Sequence, residues 1–222
     1  GLPLFFKQIK ELIENVSNYK SCDIRLEHYV VSTGFAETIQ GSAIAPYVDG
    51  IFGCEFIETP APSGFIAEYS NSKENEISQI AIALDNTSKT RYLSEINKGS
   101  NKFPETIDVN SFIEPENRRI PFRNMLYIAD GPSDVPAFSI LNNHQGSTFA
   151  IYPKGDSKAF KQVEQLRKDK RIETFGEADY SEGTHTWMWL TTRVKEIADG
   201  ILKRHKDTLQ KSSSVPPGHL SL

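Results

Sequence analysis

Short apolar runs and segments with an apolar residue at every third or fourth position follow one another along this chain. The apolar runs lie between turn residues and are rich in residue types that favour strands. They predict strands at 24–31, 51–57, 65–69, 79–84, 125–129, 148–152 and 172–175. The helical spacing predicts helices at 3–18, at a short stretch through 39, at 89–98, 134–141 and 157–169, and at a final segment that carries Leu190, Val194, Ile197 and Ile201.

The order of these elements predicts the fold class. Strands that alternate with helices are typical of an α/β domain, in which helices cover both faces of a parallel sheet. We therefore expect one three-layer, Rossmann-like domain over residues 1–210, with a small β-hairpin over 51–69. The polar, proline-interrupted stretch 99–123 predicts a surface excursion, and 211–222 predicts a flexible C-terminal tail.

Composition narrows the possible partners and the compartment. The chain has 222 residues, a net charge of -4 and a pI near 5.8, so it lacks the basic footprint of a nucleic-acid-binding protein. Its apolar runs fall far short of the ~18 residues that would indicate a membrane span. Two cysteines, Cys22 and Cys54, are too few for a disulfide framework. We expect both to be reduced, which favours a cytoplasmic setting.

The segment from Met125 to Asp134 carries the clearest candidate chemistry. Its apolar strand ends in Asp130, a Gly-Pro turn follows, and Asp134 stands where the next helix begins. Carboxylates in such a loop suit Mg2+, and in parallel sheets ligands bind beyond the carboxyl ends of the strands. Two plainer interpretations remain open: Asp130 as an ordinary Asp-Gly turn residue, and Asp134 as the N-cap of its helix.

Two further positions could bind a phosphate group. Ser32, Thr33 and Gly34 follow a predicted strand and offer a small hydroxyl group and backbone amides, although a simple turn would have the same residues. Lys89 begins a predicted helix, where the helix dipole favours anions rather than cations. That conflict hints at a role in the site, although a solvated surface lysine is the simpler alternative.

Three short segments, in this order, resemble motifs of the haloacid dehalogenase (HAD) superfamily of phosphatases. Tyr29-Val30-Val31-Ser32-Thr33-Gly34 looks like the second motif, Lys89 like the third, and Asp130-Gly131-Pro132-Ser133-Asp134 like the fourth. The likeness is closest to the phosphoserine-phosphatase-like hydrolases and covers most of residues 1–153. It implies a HAD-like α/β core and a Mg2+-dependent hydrolase.

The resemblance also implies a role for each candidate residue. Ser32, with the amides of Thr33 and Gly34, would bind the phosphoryl oxygens. Lys89 would act in catalysis, by offsetting the charge of the phosphate and the nucleophile. Asp130 would ligate Mg2+ directly, whereas Asp134 would support the metal ion or its waters.

One motif of that family is missing. No Asp-x-Asp follows an apolar strand, although this first motif supplies the phosphoryl-accepting aspartate and the general acid/base in the family. We therefore expect the C-terminal part of a longer phosphatase of a small phosphorylated metabolite, a part that is inactive by itself. Loss of the central strand would leave two neighbouring strands with unpaired edges, which would close on each other or pair two copies in a homodimer.

Other functions remain open on the same fold. The chain could be a non-catalytic binding or regulatory domain, or a phosphotransferase relative, because fold does not determine reaction. Ser133 stands where many relatives carry Asn, and nothing in the sequence identifies the phosphate ester.

Overall fold

A computed structural model describes residues 1–58 and 77–213 of the chain, and it has a mixed α/β architecture. The helices in these ranges are α1 (Leu2–Glu14), α2 (Ser17–Ser21), α3 (Ala36–Gln40), α4 (Lys89–Lys98), α5 (Val135–Asn143), α6 (Ser157–Lys168) and α7 (His185–Ser213). The strands are β1 (Tyr29–Phe35), β2 (Gly50–Glu58), β3 (Ile77–Ile82), β4 (Leu126–Ala129), β5 (Ser147–Tyr152) and β6 (Thr174–Glu177). Over the described residues, no helix combines the length and apolar character that a membrane crossing requires.

The strands β4, β5 and β6 form a parallel sheet with helices on both faces. Alternate residues of a strand point to opposite faces of its sheet. Ile128 and Phe149 accordingly pack against α1 and α7, whereas Ala129 and Ala150 pack against α5 and α6. This half of the molecule has the three-layer arrangement that the sequence predicts.

The strands β1, β2 and β3 form a second, mixed sheet. β1 pairs with β2 in parallel, and β3 pairs with β2 in the antiparallel direction. The sequence predicted 65–69 as the hairpin partner of β2, and that stretch lies outside the described residues. The antiparallel partner that the structure describes is β3, whose Ile77, Ile80 and Ile82 are exposed.

The described strands thus form two sheets where the sequence predicted one. Within the described ranges, β1 pairs only with β2 and β4 only with β5, so each has an edge without a strand partner. Helices connect the two sheets: α4 contacts β1 and packs on α5. On α1, which packs on α7, the Phe6 ring lies 4.6 Å from the His28 ring just before β1.

Several predicted boundaries are wrong for local reasons. The strand predicted at 24–31 begins only at Tyr29, because no strand within residues 1–58 and 77–213 pairs with the residues before it. The helix predicted at 3–18 breaks at Val16, whose backbone is extended, and therefore becomes α1 and α2. The predicted tail at 211–222 begins inside a helix, since α7 continues to Ser213; the rest of it lies outside the described residues.

Candidate functional site

Lys89 and Asp134 form a buried ion pair that joins two of the sequence motifs. The Lys89 Nζ atom lies 2.7 Å from Oδ1 of Asp134, although the residues are 45 positions apart in the chain. Their side chains are only 8% and 4% exposed. The alternative of a solvated surface lysine is therefore wrong. Lys89 is the first residue of α4, a position where the helix dipole disfavours a positive charge. The carboxylate of Asp134 compensates this unfavourable interaction.

Asp134 receives two more hydrogen bonds. The Tyr127 hydroxyl group donates to Oδ1 over 2.6 Å, and the Ser133 hydroxyl group lies 3.0 Å from Oδ2. Burial and the bond to Asp134 raise the pKa of Tyr127, so its phenol remains a proton donor at neutral pH. Asp134 stands at the N-cap position of α5, but its side chain makes no capping hydrogen bond. Its carboxylate holds Lys89 and Tyr127 instead.

Asp130 differs from Asp134 in its surroundings. It follows the last residue of β4 and is exposed, and its carboxylate forms no hydrogen bond or ion pair with the described residues. The two carboxylates therefore offer different chemistry. The oxygens of Asp130 are available to a cation, whereas those of Asp134 already accept hydrogen bonds from protein donors.

The predicted phosphate-binding residues form an irregularity in β1. The pairing of β1 with β2 shifts register between Val31 and Phe35, and Ser32, Thr33 and Gly34 make up this bulge. The amide of Gly34 donates to the Ser32 Oγ atom over 3.0 Å, which leaves the hydroxyl hydrogen of Ser32 able to donate to an oxyanion. The alternative of a simple turn is wrong, because the segment remains part of the strand.

A thiol connects this bulge to the segment that leads into α4. The buried Cys54 donates from Sγ to the Thr33 carbonyl oxygen, at 3.3 Å, and accepts from the amide of Leu84 at 3.2 Å. Leu84 lies between β3 and Lys89, so this side chain links the β1 bulge to the segment that precedes Lys89. Cys22 is half-buried and Cys54 buried, and both are free thiols in this structure.

Sequence reasoning missed the contributions of Cys54 and Tyr127. For Cys54 the sequence predicted only a reduced cysteine within a strand. Tyr127 sits in the middle of β4 with its ring on the α5 side, where it contacts Phe138 edge-on. A tyrosine among apolar strand residues indicates that its hydroxyl group needs a buried partner, and this signal could have been used.

A small cavity of about 250 Å³ lies at the same edge of the β4–β6 sheet as Asp130. Tyr152 and Glu177, the last residues of β5 and β6, line it together with Asp179 and His185. His185 is the first residue of α7. Backbone donation from Ser181 lowers the pKa of the Asp179 carboxyl group.

The arrangement matches the needs of a magnesium ion only in part. Mg2+ commonly takes one or two carboxylates and completes its shell with water and phosphate oxygens. Asp130 fits that role, but the described residues contain no group of three or more side chains that could hold a metal ion. Further ligands would have to come from water, from a phosphate group or from other protein residues.

Comparison with known proteins adds one relative. The chain is similar to a protein of Borreliella burgdorferi described only as an uncharacterized protein, with 38% identity over 198 residues. The match covers 87% of this chain and 65% of the relative, so the chain spans just under two thirds of the length of that protein. No protein-family model matches the chain, and no solved structure matches it significantly.

Proposed function

We propose that this chain is the C-terminal part of a Mg2+-dependent phosphatase of the HAD-like hydrolase group that acts on a small phosphomonoester. The observation that carries the proposal is the buried ion pair of Lys89 with Asp134, close in sequence to the exposed Asp130 at the carboxyl end of β4. A buried pair of this kind contributes little net stability, which is consistent with its retention for function.

Each residue has a distinct task in the proposed site. Asp130 holds the metal ion, which neutralises charge on the phosphoryl oxygens when it is bound. Ser32 donates its hydroxyl hydrogen to the phosphate. Lys89 carries positive charge into the site, and Asp134 holds the Lys89 ammonium group in place rather than ligating the metal ion itself.

The separation of the strands into two sheets supports the proposal that a central strand lies between β1 and β4 in the longer protein. β1 and β4 each have an edge without a strand partner in the described part of the chain, and α1 and α4 connect the sheets on opposite faces. A strand from elsewhere in the longer protein, carrying the phosphoryl-accepting aspartate, would complete one continuous parallel sheet there. The chain alone would then bind phosphate but not hydrolyse its esters.

The cellular setting and the assembly belong to the same proposal. The parent enzyme acts in the cytoplasm on a small phosphorylated metabolite. Without the central strand, the free edges of β1 and β4 invite pairing with a second copy, as unpaired strand edges commonly do.

One observation favours a second candidate, a non-catalytic binding domain. The carboxylate of Asp134 is engaged by three protein donors, and among the described residues no cluster of metal-binding side chains occurs. A domain that kept the ion pair for its structure and lost its catalytic chemistry would look the same.

Hydrolysis of p-nitrophenyl phosphate separates the two candidates. The assay compares this chain with the same chain preceded by its native upstream sequence, each with and without Mg2+. We expect turnover only from the longer protein. Asp130→Asn should reduce that turnover by roughly 100-fold or more, because it removes a metal ligand. Asp207→Asn is the matched control, since Asp207 is an exposed aspartate on α7.

Two results would contradict the proposal. An inactive longer protein, or one that Asp130→Asn leaves fully active, would favour the binding domain. Turnover by the short chain that Asp130→Asn abolishes would show that the nucleophile is already present in it.

A further inference from the structure

A second cavity lies on the opposite face of α4 from Lys89. Its volume is about 540 Å³, within the range of small-molecule sites, and it lies between α4 and the excursion at 99–123. Arg91 and Lys98 of α4 line it, and Arg118 lines it from the excursion. With 100° between successive helical residues, Arg91 and Lys98 share one side of α4 while Lys89 lies on the other.

The charged side chains that line this cavity are all cations. Arg91, at the rim, pairs with Glu95 one turn further along the helix. Lys98 and Arg118 are half-buried and form no ion pair with any residue that the structure describes. Two positive charges therefore face the cavity without a carboxylate to balance them.

Backbone carbonyl groups hold these two cations in place. The Lys98 ammonium group donates to the carbonyl oxygens of Val109 and Ser111 over 2.6 and 2.7 Å. The Arg118 Nε–H donates to the carbonyl oxygen of Ile113 over 3.1 Å. One N–H of Lys98 and the two terminal amino groups of Arg118 remain for a ligand. Carbonyl groups position the cations but leave their charge to be neutralised.

We propose that this cavity binds a small organic dianion, with its charged group on Lys98 and Arg118 and its apolar part against Phe122. The guanidinium fork of Arg118 suits the paired oxygens of a phosphate or a carboxylate. Two fixed positive charges match two negative charges, and the Phe122 ring supplies an apolar wall. The site is independent of the Lys89 site and of the proposed phosphatase activity.

Isothermal titration calorimetry with phenyl phosphate and with phthalate tests this site. Both probes carry an aromatic ring and two negative charges, and benzyl alcohol is the neutral control. Binding of either anion, without binding of benzyl alcohol, supports the proposal and identifies the preferred anionic group. The absence of binding by both anions would overturn it.

Substitutions test whether the two anions bind in this cavity. Asn110 is exposed and lines the cavity, so Asn110→Asp adds a carboxylate without changing the shape of the side chain. We expect it to weaken binding by roughly tenfold or more, and Arg118→Gln to do the same. Arg123→Gln is the matched control, because Arg123 is an exposed arginine outside the cavity. Equal affinity in Asn110→Asp and Arg123→Gln would overturn the proposal.

Discussion

The two sheets of this molecule differ in what surrounds them. In the β4–β6 sheet, Phe149 and Ala150 are completely buried between helices on both faces. In the β1–β3 sheet, β3 exposes its isoleucines, and Phe35 at the end of β1 is 43% exposed. The hydrophobic clusters of the described residues gather around the β4–β6 sheet. One sheet is therefore a packed core, and the other is attached to it.

Polar contacts contribute to that attachment. Lys89 reaches Asp134 across the boundary between the sheets, and Arg119 forms an ion pair with Glu27 just before β1. Ligand-binding segments are commonly the less stable parts of a protein, since they lack buried apolar contacts. The candidate site lies at this boundary, where the Lys89–Asp134 pair adds a buried polar contact to the apolar packing of Leu93 of α4 on α5.

The largest expected difference is in the free energy of unfolding when a phenylalanine is replaced by alanine in each sheet. Phe149→Ala should lower the free energy of unfolding by about 3–5 kcal/mol, because it leaves a cavity in a fully buried site. Phe35→Ala should cost less than about 1.5 kcal/mol, since Phe35 mainly stacks on Phe56 at the surface. Urea unfolding measures both losses. Equal losses would contradict the distinction between a packed and an attached sheet.

The buried ion pair gives a second test at the boundary. Lys89→Met should cost about 3–5 kcal/mol of unfolding free energy, because Asp134 would keep a buried charge without a cation. Arg91→Met, two positions later on an exposed side of α4, should cost only about 0.3–0.5 kcal/mol.

The double variant Lys89→Met/Asp134→Leu isolates the cause of that loss. It should recover most of the stability lost in Lys89→Met, since a buried apolar pair often replaces a buried ion pair at little cost. The account is contradicted if Lys89→Met costs no more than Arg91→Met in urea unfolding.

The hydroxyl group of Tyr127 provides a smaller effect. Tyr127→Phe removes a hydrogen bond to a buried carboxylate and should cost about 1.5–3 kcal/mol. Tyr152→Phe makes the same change in the neighbouring strand β5, where that hydroxyl group has no hydrogen-bond partner among the described residues. Its cost should stay within about 0.5 kcal/mol. If Tyr127→Phe costs as little unfolding free energy as Tyr152→Phe, the hydrogen bond from Tyr127 to Asp134 does not stabilise the fold.

The smallest expected effect is the pH dependence that His28, just before β1, gives to the free energy of unfolding. Burial lowers the pKa of His28, although the carbonyl group of Tyr47 partly opposes this. As the pH falls through about 6.5, the unfolded chain takes up a proton that folded His28 resists, so stability should fall. His28→Gln should make this fall smaller, because it removes the side chain whose protonation the fold opposes. Urea unfolding at about pH 7.5 and pH 5.5 measures the difference.

Local patterns in the sequence were sufficient for some elements. Helix α4 begins and ends where its spacing predicts, at Lys89 and Lys98, because Gly99 follows with a φ of 94° and ends the helix. β4 and β5 were also predicted to within one residue, since each is a short apolar run between turn residues. In these cases the determining interactions are close in sequence.

Other features depend on contacts between distant residues. The sequence did not predict that β2 would pair with β3, because the register of strands is set by which strands meet in space. The bonds from Cys54 to Thr33 and Leu84 join segments 21 and 30 residues away, and no local pattern encodes them. The order of the motifs suggested that Lys89 and Asp134 share a site, but not that they bind each other.

The most direct test of the central claim is to map phosphate binding by 1H–15N NMR on this chain, with inorganic phosphate and Mg2+ as probes. The account predicts that the amide signals of Thr33, Gly34 and Gly131 shift, because these residues lie at the bulge of β1 and beside Asp130. Lys89→Met should abolish those shifts in a protein that remains folded by its NMR spectrum. Shifts confined to residues away from the boundary between the sheets, or no shifts at all, would contradict the account.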